Sequence, residues 1–172
     1  GFDASHRAAI VDNAASLRAE ADALGAALWI GEYGGMSKIA GIGDYMQAEY
    51  DAAAAVAGST MYYDDTKNDG GYGLLNVDGS EKPELVDAVV RPYPARVAGT
   101  PKSYAFDAST RAFTLTMGAA SSGTTEIIVP RRVYPNGVAV DCGGCTHALD
   151  DAAQVLRLDD VRAHAVVTVT PR

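Results

Sequence analysis

Two short strand-forming runs, each set between helix-forming stretches, occupy the first 95 residues, and no other feature of the chain constrains its fold as much. Ala26-Ala27-Leu28-Trp29-Ile30 is apolar without interruption, which fits a parallel strand buried on both faces. Ser59-Thr60-Met61-Tyr62-Tyr63 is the second run. Ahead of the first, Asp3 or Ser5 can cap a helix reaching Leu24, with Ile10, Ala14, Leu17, Ala21 and Leu24 on one apolar stripe and Gly25 beyond it. A second helix is predicted over 42–57, with Tyr45, Met46, Ala53 and Val56 inward and Gly58 as its stop. A third starts near Ser80 with Pro83 and Glu84 in its first turn. Alternating helices and strands predict parallel βαβ units with the two strands as neighbours. Two strands cannot close a barrel, which takes roughly 250 residues in the (β/α)8 case. The segment reads as the last quarter of a larger α/β domain.

The texture changes near Ala95–Thr100, where Pro92, Pro94, Gly99 and Pro101 punctuate the chain. The division is therefore placed at 1–95 and 96–172. Residues 1–99 carry 7 basic and 15 acidic side chains, and 100–172 carry 7 of each. The second part offers short strands over 103–106, 112–117, 125–129, 138–142, 155–158 and 163–170. The last of these places Ala165, Val167 and Val169 on one face. With Asn136-Gly137 as a strong turn signal, this predicts an antiparallel β-sandwich. The whole chain, with a formal charge of −8, lacks the basic footprint that nucleic acid or an anionic membrane requires, so neither is expected as main partner. The first residue is Gly rather than Met, and the chain is expected to be a processed protein or an excised piece.

Glu32 is the residue with most chemistry to explain. It stands where a buried strand leaves its sheet, the edge that carries active sites in α/β folds. A carboxylate held there can act as nucleophile or general base. The flanking Gly31, Gly34 and Gly35 would let a substrate approach the backbone. The structural alternative is a strand-end carboxylate paired with an arginine. The run Asp64–Gly70 fails as a calcium loop, because Leu75 stands where a bidentate Glu is needed. Cys142-Gly-Gly-Cys145 admits a zinc pair, a thioredoxin-like pair or a disulfide. No second cysteine pair exists for zinc and no helix N-terminus is near for redox chemistry, so the reading favours a disulfide across a Gly-Gly hairpin turn, and with it a secreted protein. No metal and no cofactor is expected.

Trp29-Ile-Gly-Glu-Tyr-Gly-Gly35 resembles the seventh-strand motif of family 5 glycoside hydrolases, an apolar strand followed by Gly-Glu-Phe/Tyr-Gly. Met61-Tyr-Tyr-Asp64 resembles the eighth strand. Gly71-Tyr-Gly-Leu-Leu75, Asp78-Gly-Ser-Glu-Lys-Pro-Glu-Leu85 and Arg91-Pro-Tyr-Pro94 resemble the closing helix and linker of the endoglycoceramidase branch. Thr124-Thr-Glu-Ile-Ile-Val-Pro130 resembles that branch's C-terminal sandwich. The resemblance implies an α/β segment followed by an all-β one: the last two βα units of a (β/α)8 barrel plus a C-terminal antiparallel β-sandwich.

The resemblance also implies a reaction. Glu32 would be the nucleophile of a retaining hydrolysis that cleaves the β-linkage between oligosaccharide and ceramide in glycosphingolipids. A second carboxyl about 5 Å away would act as acid/base. In the family that Glu follows an Asn. The six Glu here are 20, 32, 49, 81, 84 and 126, and none does, so the acid/base lies outside this chain. The N-terminal remainder of the barrel is the implied partner, a glycolipid or β-glycoside the implied substrate, and the isolated chain is expected to be inactive. Tyr63 takes the position where the family has a Trp under the sugar, and Lys67 in the following loop is a candidate for substrate contact, against the alternatives of a core aromatic and a solvated lysine. A non-catalytic carbohydrate- or lipid-binding β-sandwich is the competing reading.

Overall fold

The computed structural model describes residues 1–172 as two compact units, Gly1–Val89 and Val90–Arg172. In the first unit the elements run α1 (Ala4–Ala23), β1 (Trp29–Tyr33), α2 (Ile42–Ala55), β2 (Ser59–Tyr62) and α3 (Pro83–Val89). Asp3 caps α1, its carboxylate accepting from the backbone N–H of Ser5 at 2.9 Å and of His6 at 3.2 Å. At the other end Ala26 N–H donates to the Ala21 carbonyl at 2.9 Å and Gly25 N–H to Asp22 at 3.0 Å, which closes the last turn. α2 ends the same way, but the left-handed residue is Ala57, at φ 52°, and not Gly58. Gly58 itself is buried, and a Cβ there would come within 3.3 Å of the Leu28 side chain.

β1 and β2 are parallel neighbours, with Trp29 opposite Ser59, Ile30 opposite Thr60 and Tyr33 opposite Tyr62. The ordered strand starts three residues later than the apolar run suggests, and Trp29 is 63% exposed and Met61 48% exposed. One face of this pair is covered by α2, whose Ile42 and Met46 pack with Leu85 and Ala88 of α3 and with Tyr33 and Tyr62 of the strands. On α2, Ala48, Ala52, Ala53 and Ala54 are buried, as are Ala14 and Ala21 of α1, so the two helices meet through small side chains. α3 starts at Pro83 rather than Ser80, because Asp78 accepts from the N–H and hydroxyl of Ser80 and holds 78–80 in a turn.

The second unit is a sandwich of two four-stranded antiparallel sheets. One has the order β4 (Gly99–Asp107), β5 (Ala112–Ala120), β10 (Val166–Pro171), β7 (Val138–Asp141). The other has the order β3 (Tyr93–Arg96), β6 (Thr124–Ile128), β9 (Val155–Asp159), β8 (Thr146–Asp150). The alternation expected of the last strand holds: Val167 and Val169 are fully buried, with Ala165 packed beside them. They meet Phe113, Leu115 and Met117 of their own sheet and Ile127, Leu156 and Leu158 of the other, all at 0% exposure. Burying six such side chains gives this unit its driving force, at about 1.5–3 kcal/mol each for the Leu, Ile, Phe and Met members. The outer face of the second sheet carries a charge ladder, Arg96–Glu126–Arg157–Asp150.

Two strands, β3 and β8, were not expected from the sequence. Of Arg91–Pro94, expected in a linker, Tyr93 and Pro94 open β3. The Cys142–Cys145 disulfide is present, with its Cα atoms 5.5 Å apart. Its setting differs from the hairpin anticipated for it. β7 and β8 do not pair; they belong to opposite sheets, so the bridge closes the turn through which the chain crosses the sandwich.

Candidate active site

Glu32 is the last residue but one of β1, on the C-terminal edge of the parallel pair. The ladder explains how it is presented. Between the matched pairs Ile30–Thr60 and Tyr33–Tyr62, β1 has two residues, Gly31 and Glu32, where β2 has only Met61. The extra residue is a bulge, which breaks the alternation of the strand and turns a side chain away from its sheet. Glu32 is consequently exposed, while Tyr33 after it points into the packing between β1 and α2.

Around Glu32 lies a depression of about 420 Å3 lined by Glu32, Tyr33, Gly34, Tyr45, Tyr63 and Tyr72. Four phenols and a single carboxylate make its chemistry. The rings are fixed by one another: Tyr33 stands edge-on to Tyr50 and to Tyr62, and Tyr63 edge-on to Tyr72, with centroids 5.3, 6.2 and 6.3 Å apart. Tyr63 N–H donates to the Tyr33 carbonyl at 2.8 Å, tying the end of β2 to β1, and the Tyr62 hydroxyl donates to the Tyr72 carbonyl. The Tyr63–Asp64 peptide is cis. Gly34 has no room for a side chain, since a Cβ there would fall on the Tyr63 carbonyl oxygen.

Burial pushes the Tyr45 phenol up to about 12, with the nearby Glu49 adding to it, and burial likewise pushes Tyr62 up to about 12. Both remain neutral hydrogen-bond donors at any physiological pH. Burial also raises the Glu49 carboxyl, while its hydrogen bond from Tyr45 works the other way. The depression therefore offers one carboxylate amid aromatic surface.

The site residues expected from sequence are only partly brought together. Glu32 and Tyr63 line the same depression, and Tyr63 is half-exposed rather than a core aromatic. Lys67 does not line it. It is exposed in the loop after β2, bridged through its backbone to Leu75. Tyr33, Tyr45 and Tyr72 were not singled out by sequence reasoning. Tyr72 was detectable as the one aromatic inside Gly70-Gly71-Tyr72-Gly73. Tyr45 looked like an ordinary helix-face residue. His6, His147 and His164 are all exposed and scattered.

Residues 91–170 match the glycoside hydrolase family 5 C-terminal domain. The chain resembles the C-terminal part of a family 5 glycoside hydrolase. An endoglycoceramidase of Hydra vulgaris is 41% identical over 70 residues, which is 38% of this chain and 14% of that protein. Endo-glycoceramidase II from Rhodococcus sp., solved as a five-membered iminocyclitol complex, superposes with a TM-score of 0.80 at 26% identity over 97% of this chain and 38% of its own. That enzyme has also been solved as a lactosyl-enzyme intermediate and as a ganglioside GM3 complex. Sterylglucosidase 1 of Cryptococcus neoformans shares the fold, with a TM-score of 0.75 at 17% identity over 96% of this chain and 32% of its own. The chain thus spans about two fifths of the endo-glycoceramidase II structure. The structural match runs through the α/β unit as well as the sandwich, so the likeness to endo-glycoceramidase II takes in the depression around Glu32.

Proposed function

We propose that β1 and β2 are the last two strands of a (β/α)8 catalytic barrel and that Glu32 is the nucleophile of a retaining β-glycosidase of the endoglycoceramidase type. The observation that carries the reading is the placement of Glu32: a lone carboxylate on the C-terminal edge of a parallel strand pair, in an aromatic depression. In this mechanism a Glu32 oxygen attacks the anomeric carbon and the bond to the leaving oxygen breaks. A second carboxylic acid protonates that oxygen, then deprotonates the water that releases the sugar from Glu32. The second group comes from the rest of the barrel, which covers the exposed Trp29 and Met61 of the strand pair. Tyr63 supplies an aromatic face to the sugar beside the scissile bond. The bond cleaved is the one between oligosaccharide and ceramide, in line with the similarity to endoglycoceramidases. The disulfide at Cys142–Cys145 fits an oxidising compartment and hence a secreted enzyme.

Glu32→Gly in the full-length enzyme tests the assignment. Hydrolysis of a fluorogenic β-glycoside and of a glycosphingolipid is expected to fall by at least about a thousandfold, with azide restoring turnover as an α-glycosyl azide, because the anion enters the space left by the carboxylate. Near-normal hydrolysis by this variant would refute the role.

A further inference from the structure

We propose that Lys82 is a positioning residue of the cleft: its buried ammonium locks the glycine-rich loop that presents Tyr72, so that Tyr72 and Tyr63 form a two-walled corner for one pyranose ring. Lys82 is 2% exposed. Its Nζ donates to Asn68 Oδ1 at 2.9 Å, to the Gly73 carbonyl at 2.6 Å and to the Gly71 carbonyl at 3.4 Å. An ammonium has three donors, and all three are spent on this one loop. Gly71 and Gly73 flank Tyr72, whose own carbonyl accepts from the Tyr62 hydroxyl. Three successive carbonyls, 71, 72 and 73, are therefore engaged, that of Gly71 also by the Ser37 N–H at 3.1 Å.

The loop needs such an anchor. Gly70, Gly71 and Gly73 bring no side chains of their own to pack. Gly73 is buried so closely that a Cβ would fall on the Thr66 carbonyl oxygen. Chain entropy favours disorder in a segment of this composition. A methionine would fill the Lys82 position at no desolvation cost, so the buried charge is there for its hydrogen bonds. The result of the anchoring is the placement of one ring. Tyr72 is 40% exposed, lines the depression and stands at 64° to Tyr63. A pyranose laid with its C–H face on Tyr63 would meet Tyr72 along one edge, and the substituent at that edge is what Tyr72 would read.

The ligand part rests on the glycosidase reading above; the anchoring does not. The test uses Lys82→Met, Tyr72→Ala and the double variant in the full-length enzyme. Losing one aromatic contact is expected to raise KM about three- to tenfold with kcat within about threefold. Lys82→Met should reproduce the Tyr72→Ala change, and the double variant should be no worse than Tyr72→Ala alone. Additive losses, or an unchanged KM in Lys82→Met, would overturn the proposal, because a generally destabilising change would not act through Tyr72. Hydrogen exchange reads the anchor without turnover. The amides of Ser37 and Leu75, which donate to the Gly71 and Thr66 carbonyls, should exchange at least about tenfold faster in Lys82→Met while those of α2 stay unchanged, and equal exchange at these two amides would overturn the anchoring even if no β-glycoside is hydrolysed. Should Lys82→Met not fold, Asn68→Ala removes one acceptor, keeps the lysine and is read by the same two assays with the same expectations.

Discussion

Adding one methyl group at Gly34 is expected to damage the cleft, whereas adding it three residues earlier is not. A Cβ on Gly34 would overlap the Tyr63 carbonyl oxygen and come within 3.2 Å of the Tyr62 ring and 3.3 Å of the Tyr72 ring. Tyr63 cannot retreat freely, since its N–H is bonded to the Tyr33 carbonyl at 2.8 Å. Overpacking of this kind costs about 1–3 kcal/mol. Loosening the backbone bond costs about 1 kcal/mol more. Replacing Gly by Ala returns about 0.4–1 kcal/mol by restricting the unfolded chain. The net loss is about 1–3.6 kcal/mol, a sizeable part of a typical stability of 5–15 kcal/mol. With an m-value of about 2 kcal/mol/M in urea, the midpoint should fall by about 0.5–1.8 M. Trp29 is the only tryptophan and lies on β1, so its fluorescence follows the affected unit. Gly31→Ala is the control: nothing lies within 4 Å of its Cβ, and its midpoint should stay within about 0.3 M of wild type. If Gly34→Ala unfolds at the same urea concentration as Gly31→Ala, the packing argument for the Tyr62–Tyr63–Tyr72 corner is wrong.

Two further outcomes concern the sandwich. The disulfide closes a loop with a sequence separation of only 3, so replacing both cysteines by serine should cost no more than about 2 kcal/mol, measured by denaturant midpoint. Two thiols alkylated in the folded, unreduced protein would contradict the bridge itself. In the β4–β5 turn, Asp107 accepts from the Ser109 hydroxyl and from the N–H groups of Ser109 and Thr110, which lowers its carboxyl from 3.8 to about 2. Its contribution is full above pH 3.8 and is lost as pH falls through about 2. Asp107→Ala should therefore show a flatter stability curve across that window, and curves that stay parallel to wild type would refute the cap.

Where one physical rule acts on neighbouring residues, the sequence was sufficient. A cap at Asp3 or Ser5, the parallel pairing of two strands around a helix, the alternation of Val167 and Val169, and the cysteine pair all follow from spacing within a few residues or from crossover handedness. β3 and β8 escaped notice for a shared reason. Both are edge strands, each with a single partner, so neither is forced into an alternating apolar pattern, and Pro94 is tolerated in one of them. Glu32 stands out in the sequence because its motif is local. The corner that faces it was not, because Tyr72 lies 40 residues further on in a loop with no periodicity. Its place is set by Lys82 and Tyr62, whose hydrogen bonds to 71–73 exist only once α3 and the strand pair have packed together. The sequence alone determined most of the elements, apart from the edge strands β3 and β8, and the nucleophile candidate; the tertiary structure decided the cleft, because hydrogen bonds and ring contacts between distant segments leave no period in the chain.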